Sequence, residues 1–305
     1  MKLSRDNIFK KYKWLREKKR PFIISSDYDG IICASFLSHY LNWELAGYYD
    51  YNSIWLSKEA IKNKNKLIWV DLNILPKTGK SIGGHIVSFD DKIPKGFKSS
   101  CNPNILQKIN SNSFNKKFPF STLIFLLWLH NKQIKNHERA KLLTLNSDNA
   151  WMKIQRYNKN TEEWIKALPE YEWDKLLKDV DSLSFEKQVD QFLYPKLQSI
   201  DAFTSFSKLK SKYLGIRSRE CKINPDWDMD IILKLFYLIA DYLEWTPPTI
   251  PDIITRVNGK QFKVPIAKVQ KEGLDKFLNK NKIFSYAITS SKTFSYTVFN
   301  KLTQK

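Results

Sequence analysis

The sequence predicts an α/β fold built on a largely parallel sheet, and three observations carry that prediction. Short apolar runs recur and end in acids: residues 22–25 before Asp27 and Asp29, residues 67–70 before Asp71, and residues 85–89 before Asp90 and Asp91. Helical patterns intervene, at residues 31–41 after the first run and at the strongly apolar stretch 120–130 after the third. The chain of 305 residues is 42% hydrophobic and 14% aromatic, which suffices for a sizeable core and excludes a disordered protein. In parallel sheets, sites form just beyond the carboxyl ends of the strands. Asp27, Asp29, Asp71, Asp91 and Asp148 are all expected at such ends.

The elements follow in order. Residues 1–20 carry nine Lys/Arg against two acids, with Ile8, Phe9, Tyr12 and Leu15 at helical spacing. They predict a basic amphipathic helix that packs on the core or contacts phosphate. Residues 21–155 form the main domain. In its first segment, Ser25-Ser26-Asp27-Tyr28-Asp29-Gly30, two carboxylates at alternate positions face one side if the strand continues. Hard oxygen donors of this kind suit a divalent cation; the other reading is a polar strand-to-helix turn, because Asp is a common N-cap. Residues 141–145 lead into Asn146-Ser147-Asp148. Residues 156–215 read as a helical connector, with a basic linker near 205–222. Residues 216–305 read as a smaller mixed α+β domain with a helix at 229–245. Asn258-Gly259 marks a hairpin between 253–257 and 261–264, and two alternating runs occupy 283–289 and 293–299.

The formal charge of +20, from 51 basic and 31 acidic residues, points to an anionic partner, with nucleic acid the commonest. The basic amphipathic helix at the N-terminus does not stand out enough to favour a membrane surface, and the apolar stretch 120–129 is too short to span a bilayer. Cys33, Cys101 and Cys221 are few, odd in number and far apart. They make neither a disulfide framework nor a zinc set, so a reducing cytoplasm is expected.

With these segments placed, their order resembles the DHH phosphoesterase superfamily, and within it the RecJ-like single-strand exonucleases. Asp27-Tyr28-Asp29-Gly30-Ile31 is similar to the first motif and Trp69-Val70-Asp71 to the second. Asn102-Pro103 and Phe118-Pro119-Phe120 are similar to landmarks downstream of the third, and Asn146-Ser147-Asp148 to the fourth. The resemblance covers roughly residues 20–155. It implies a site holding one or two Mn²⁺ or Mg²⁺ ions on Asp27, Asp29, Asp71, Asp91 and Asp148, with Asp71 bridging. The chain departs from the family in two places. Ser25 stands where a further ligand is expected, and the Asp-His-His signature is absent. Two segments compete for its place. Gly83-Gly84-His85 keeps one histidine, which would contact the scissile phosphate. Asp90-Asp91-Lys92 follows a better strand pattern, which favours it, and there Lys92 replaces the phosphate-contacting histidine.

On this resemblance Asp71, His85 and Lys92 are the candidate catalytic residues. Lys208, Lys210, Lys212, Arg217, Arg219 and Lys292 are the candidate substrate contacts, with Tyr286 or Tyr296 stacking bases. His39, His130 and His137 read as packed or boundary histidines. The expected activity is phosphodiester cleavage of single-stranded nucleic acid or oligonucleotides. The alternative is an inactive nucleic-acid-binding subunit of a larger complex with protein partners.

Overall fold

The computed structural model describes residues 2–75, 79–90, 93–135, 137–290 and 292–299. In chain order its strands are β1 (Pro21–Ser25), β2 (Glu44–Tyr49), β3 (Ser53–Ser57), β4 (Ile68–Val70), β5 (Lys80–Ile82) and β6 (Ser100–Cys101). They continue as β7 (Ser205–Lys210), β8 (Arg217–Glu220), β9 (Ile253–Asn258), β10 (Lys260–Pro265), β11 (Ile283–Ser290) and β12 (Thr293–Val298). The chain is α/β and divides into two compact units, each assembled from three separated stretches.

The sheet unit comprises residues 17–25, 43–118 and 249–305. Its seven-stranded sheet has the order β6-β5-β4-β1-β2-β3-β9. The five strands from β6 to β2 are parallel, and β3 and β9 extend that sheet antiparallel. The central strand β1 is buried along its whole length, as a parallel strand covered on both faces requires. The chain runs from β1 to β2 on one side and returns to β4 on the other. The crevice between the carboxyl ends of β1 and β4 is therefore the topological switch point, where α/β sheets place ligands. A second, antiparallel sheet, β10-β12-β11, packs with the helices Ile266–Glu272 and Leu274–Lys280 around Phe277, Tyr286 and Phe294.

The helical unit comprises residues 1–16, 26–42 and 119–248. Its helices Tyr28–Leu41, Thr122–Leu129 and Met229–Leu243 are strongly apolar, and every residue of Thr122–Leu129 is buried. A two-stranded ribbon, β7–β8, belongs to this unit. Among the described residues no helix is long and apolar enough to cross a membrane.

The structure corrects several expectations. The strand after Asp71 is β5, not residues 85–89, which hold just an isolated bridge at Ser88. Three paired residues suffice because β4 supplies a parallel ladder, Ile68↔Lys80 to Val70↔Ile82. Glu138–Asn146 is a helix, so Asp148 follows a helix and not a strand. The basic helix is confined to Arg5–Lys11, capped by Ser4. The supposed linker at 205–222 is the β7–β8 ribbon. The strands flanking Asn258-Gly259 do not pair with each other: β9 joins β3 and β10 joins β12. For that reason the C-terminal stretch completes the sheet unit, and the units do not follow the consecutive partition at 155 and 215.

Candidate functional site

At the switch point of the sheet unit stand Ser25, the last residue of β1, and Asp71, the first residue after β4. Asp71 is 1% exposed. Its Oδ2 accepts a hydrogen bond from Ser25 Oγ at 2.8 Å, and its Oδ1 lies 2.8 Å from Nε2 of His85. An ionised carboxylate can only accept, so Nε2 carries the proton in this pair. Asp71 has φ 62, a left-handed backbone that costs most side chains dearly and that Asp tolerates better than most. Its N–H donates to the Ile82 carbonyl at 2.8 Å, which ties the strained residue to β5.

His85 follows β5 through Gly83-Gly84. A Cβ on Gly83 would lie 3.1 Å from Leu72 N and 3.2 Å from the Asp71 carbonyl carbon, so the two backbones meet at a distance that favours glycine. The loop is then held from below by two fully buried asparagines. Asn104 Nδ2 donates to the Gly84 carbonyl at 2.7 Å, and Asn102 Nδ2 donates to the Ile86 carbonyl at 2.9 Å and to Asn73 Oδ1 at 3.0 Å. Phe118 N–H donates back to Asn104 Oδ1 at 2.6 Å. The imidazole is thus positioned from both sides, by the Asp71 carboxylate and by a clamped backbone. Gly83-Gly84-His85 occupies the strand end beside Asp71. Asp91 and Lys92, the rival placement, lie outside the described residues.

The helical unit gathers the other acids differently. Asp27 is the N-cap of Tyr28–Leu41, its carboxylate accepting the Gly30 N–H at 3.0 Å. Asp29 lies inside the first helical turn, so the pair does not continue β1. Ser147 Oγ donates to Asp29 Oδ1 at 2.7 Å, which brings the first and fourth motifs together. Asp148 is left-handed at φ 54, and its carboxylate meets Lys153 Nζ at 2.8 Å. The negative field is felt by neighbouring groups. Burial pushes the Cys221 thiol far up, with Asp27 and Asp29 adding to it, and burial followed by Asp29 does the same for the Tyr28 hydroxyl. Both stay protonated.

Among the described residues, no group of three or more His, Cys, Asp or Glu side chains is placed to hold a metal ion. Asp71 and His85 are two donors at one strand end, and a Mg²⁺-type cation held by one or two protein ligands completes its shell with waters and substrate oxygens.

The remaining predicted residues divide cleanly. Lys208, Lys210 and Arg217 lie exposed on the β7–β8 ribbon, and Arg219 is half-buried there. Lys212 is bound to Asp181. Lys292 is exposed in the sheet unit. Tyr286 and Tyr296 are 2% and 8% exposed and pack in the core, so neither offers a face to a base. His137 caps the helix Glu138–Asn146, and His39 accepts the Thr246 N–H. The supporting role of Asn104 was missed. Its signal was present in the sequence: an Asn-Pro-Asn run in which Asn102 caps the short helix Pro103–Leu106 and Asn104 lies in its first turn.

No family model, no curated protein and no solved structure matches this chain.

Proposed function

We propose that the chain is a DHH-like phosphodiesterase acting on single-stranded nucleic acid or oligonucleotides, with its chemistry centred on Asp71 and His85. One observation carries this reading: a buried carboxylate and a half-buried imidazole, 2.8 Å apart, sit at the switch point of a parallel sheet. Asp71 holds the ring in one tautomer, and Nδ1 is the atom that takes a proton from an attacking water or returns it to a leaving oxygen. Ser25 fills the second carboxylate oxygen and keeps Asp71 fixed. The charge of +20 supports a polymeric anion over a small nucleotide.

A binding-only reading is favoured by one fact of its own: the Asp148 carboxylate is engaged by Lys153, which competes with any cation there. The experiment that separates the two uses labelled single-stranded DNA and RNA with Mn²⁺ or Mg²⁺, beside the Asp71→Asn and His85→Ala variants. Cleavage by the wild type that both variants lose supports the enzyme. Binding without cleavage in all three sinks it and leaves the binding-only reading.

A further inference from the structure

We propose that the β7–β8 ribbon of the helical unit is a binding platform for single-stranded nucleic acid. The inference deepens the nucleic-acid reading above and rests on it.

The ribbon pairs Phe206 with Arg219 and Lys210 with Arg217. The ladder shifts register between Phe206 and Lys210, and Phe206, Lys208 and Lys210 are all exposed along β7. Ser207 and Ser218 hydrogen-bond to each other. Phe206 is 58% exposed, although burial of a phenyl ring is ordinarily favourable. The guanidinium of Arg217 lies 5.6 Å from its ring centroid and that of Arg219 lies 5.5 Å away, so the ring is framed by cations. Among the described residues, Lys208, Lys210 and Arg217 have no acidic partner. A flat ring set among cations is what base stacking and phosphate contact require together, and a base can stack only when it is unpaired.

The ribbon is built to hold this face in place. Glu186 is fully buried, and its carboxylate accepts the Ser211 hydroxyl at 2.6 Å and the backbone N–H groups of Lys212, Tyr213 and Leu214 at 2.9, 3.0 and 2.6 Å. Arg156 donates to the carbonyls of Lys210 and Ser211. The connection between the strands is therefore clasped from beneath, and a ligand meets a preorganised surface.

The direction of the ribbon adds a second argument. Beyond β8 the chain pairs antiparallel with the acid-bearing turn: the Tyr28 N–H donates to the Cys221 carbonyl, and the Ile223 N–H donates to the Ser26 carbonyl at 2.9 Å. Asn149 Nδ2 reaches the Arg219 carbonyl at 3.5 Å. Within this unit, a strand lying on the basic-aromatic face is led along the ribbon toward Asp27.

The test measures binding of a labelled oligo(dT) to the full chain by fluorescence anisotropy, with chelator present so that cleavage does not intervene. Phe206→Ala and Lys208→Ala/Lys210→Ala are compared with wild type and with Lys62→Ala, a surface control in the sheet unit. All four are checked for unchanged melting temperature. The expected results are at least tenfold weaker binding for Phe206→Ala with an unaltered salt slope. The double lysine variant also weakens, with a salt slope reduced by about 1.4, from two lost phosphate contacts on a single strand. A duplex of equal length and inorganic polyphosphate should compete poorly.

Equal affinity for polyphosphate overturns the stacking argument, as does an unaffected Phe206→Ala. If wild type binds oligo(dT) and neither ribbon variant changes that, the ribbon proposal falls while the nucleic-acid reading stands. Absence of any binding by wild type removes both. Binding that depends on the ribbon in a protein that does not cleave removes the hydrolase and keeps the platform.

Discussion

The motif-like acids of the two units are similar side chains that are neutralised in opposite ways. In the sheet unit, Asp71 is matched by the His85 imidazole, which can release or accept a proton, and by a Ser25 hydroxyl that donates to it, at the end of a strand. In the helical unit, Asp27 caps a helix, Asp29 takes a serine hydroxyl and Asp148 takes a lysine. The first arrangement keeps a titratable partner within reach of the carboxylate and fixes its geometry. The second screens charge with dipoles and a cation. An acid at a promising sequence position is therefore not yet chemistry; its partners decide what it does.

Experiments can break or sharpen that contrast. The largest effect is expected at His85. On the hydrolase reading proposed above, His85→Ala should lower cleavage of single strands by about a hundredfold or more, the range for loss of a general acid–base group, and should cost about 1–3 kcal/mol of stability because the buried Asp71 carboxylate loses a partner. A variant that cleaves normally would remove the distinction between the clusters.

Glu186→Gln should follow, at about 2–3 kcal/mol of stability near neutral pH, because a charged acceptor of four hydrogen bonds is replaced. Burial pushes the Glu186 carboxyl up, but the hydrogen bonds from Ser211, Leu214, Tyr213 and Lys212 outweigh it and hold the group below the ordinary glutamate value. The folded-state pKa is thus depressed. Its stabilisation is present above the unfolded value, about 4.3, and is lost as pH falls through the folded one. Urea titrations from neutral to acid pH should show that loss in wild type and not in the Gln variant.

Asn104→Ala is expected to cost about 1–3 kcal/mol in urea denaturation, since the Gly84 carbonyl and Phe118 N–H lose their buried partner. Cleavage should fall in kcat, because the His85 loop loses a support. Lys153→Met should be smallest, below about 1 kcal/mol, as half-exposed ion pairs are. If that variant instead gains affinity for Mn²⁺ in calorimetry, Asp148 is a latent ligand and the helical cluster is closer in kind to the other.

Much of the fold was legible because apolar runs mark buried strands irrespective of their partners. Residues 22–25 and 67–70 became β1 and β4, and the runs at 283–289 and 293–299 paired as β11 and β12. Three failures share a cause: the deciding partner is distant in sequence. β5 reads as Gly- and Lys-flanked loop until β4 is beside it. β7 and β8 are masked by lysine and arginine, whose alternation carries no apolar signal. The Asn258-Gly259 pair closes no hairpin, because β9 is claimed by β3, some two hundred residues earlier, and β10 by β12. Within the site, the importance of Asp71 could be read from its strand end. The proximity of His85 could not, because it depends on the Gly83 backbone touching Asp71.

The left-handed backbone at Asp71 has a consequence for how this protein tolerates change. Glycine at that position would relax the peptide but forfeit the buried carboxylate's bonds to Ser25 and His85, which are worth more than the strain relieved, so robustness alone already holds the position at aspartate. A library screened for thermal endurance without regard to turnover should therefore retain Asp71, and enrichment of Asp71→Gly there would show that the strain outweighs the two bonds.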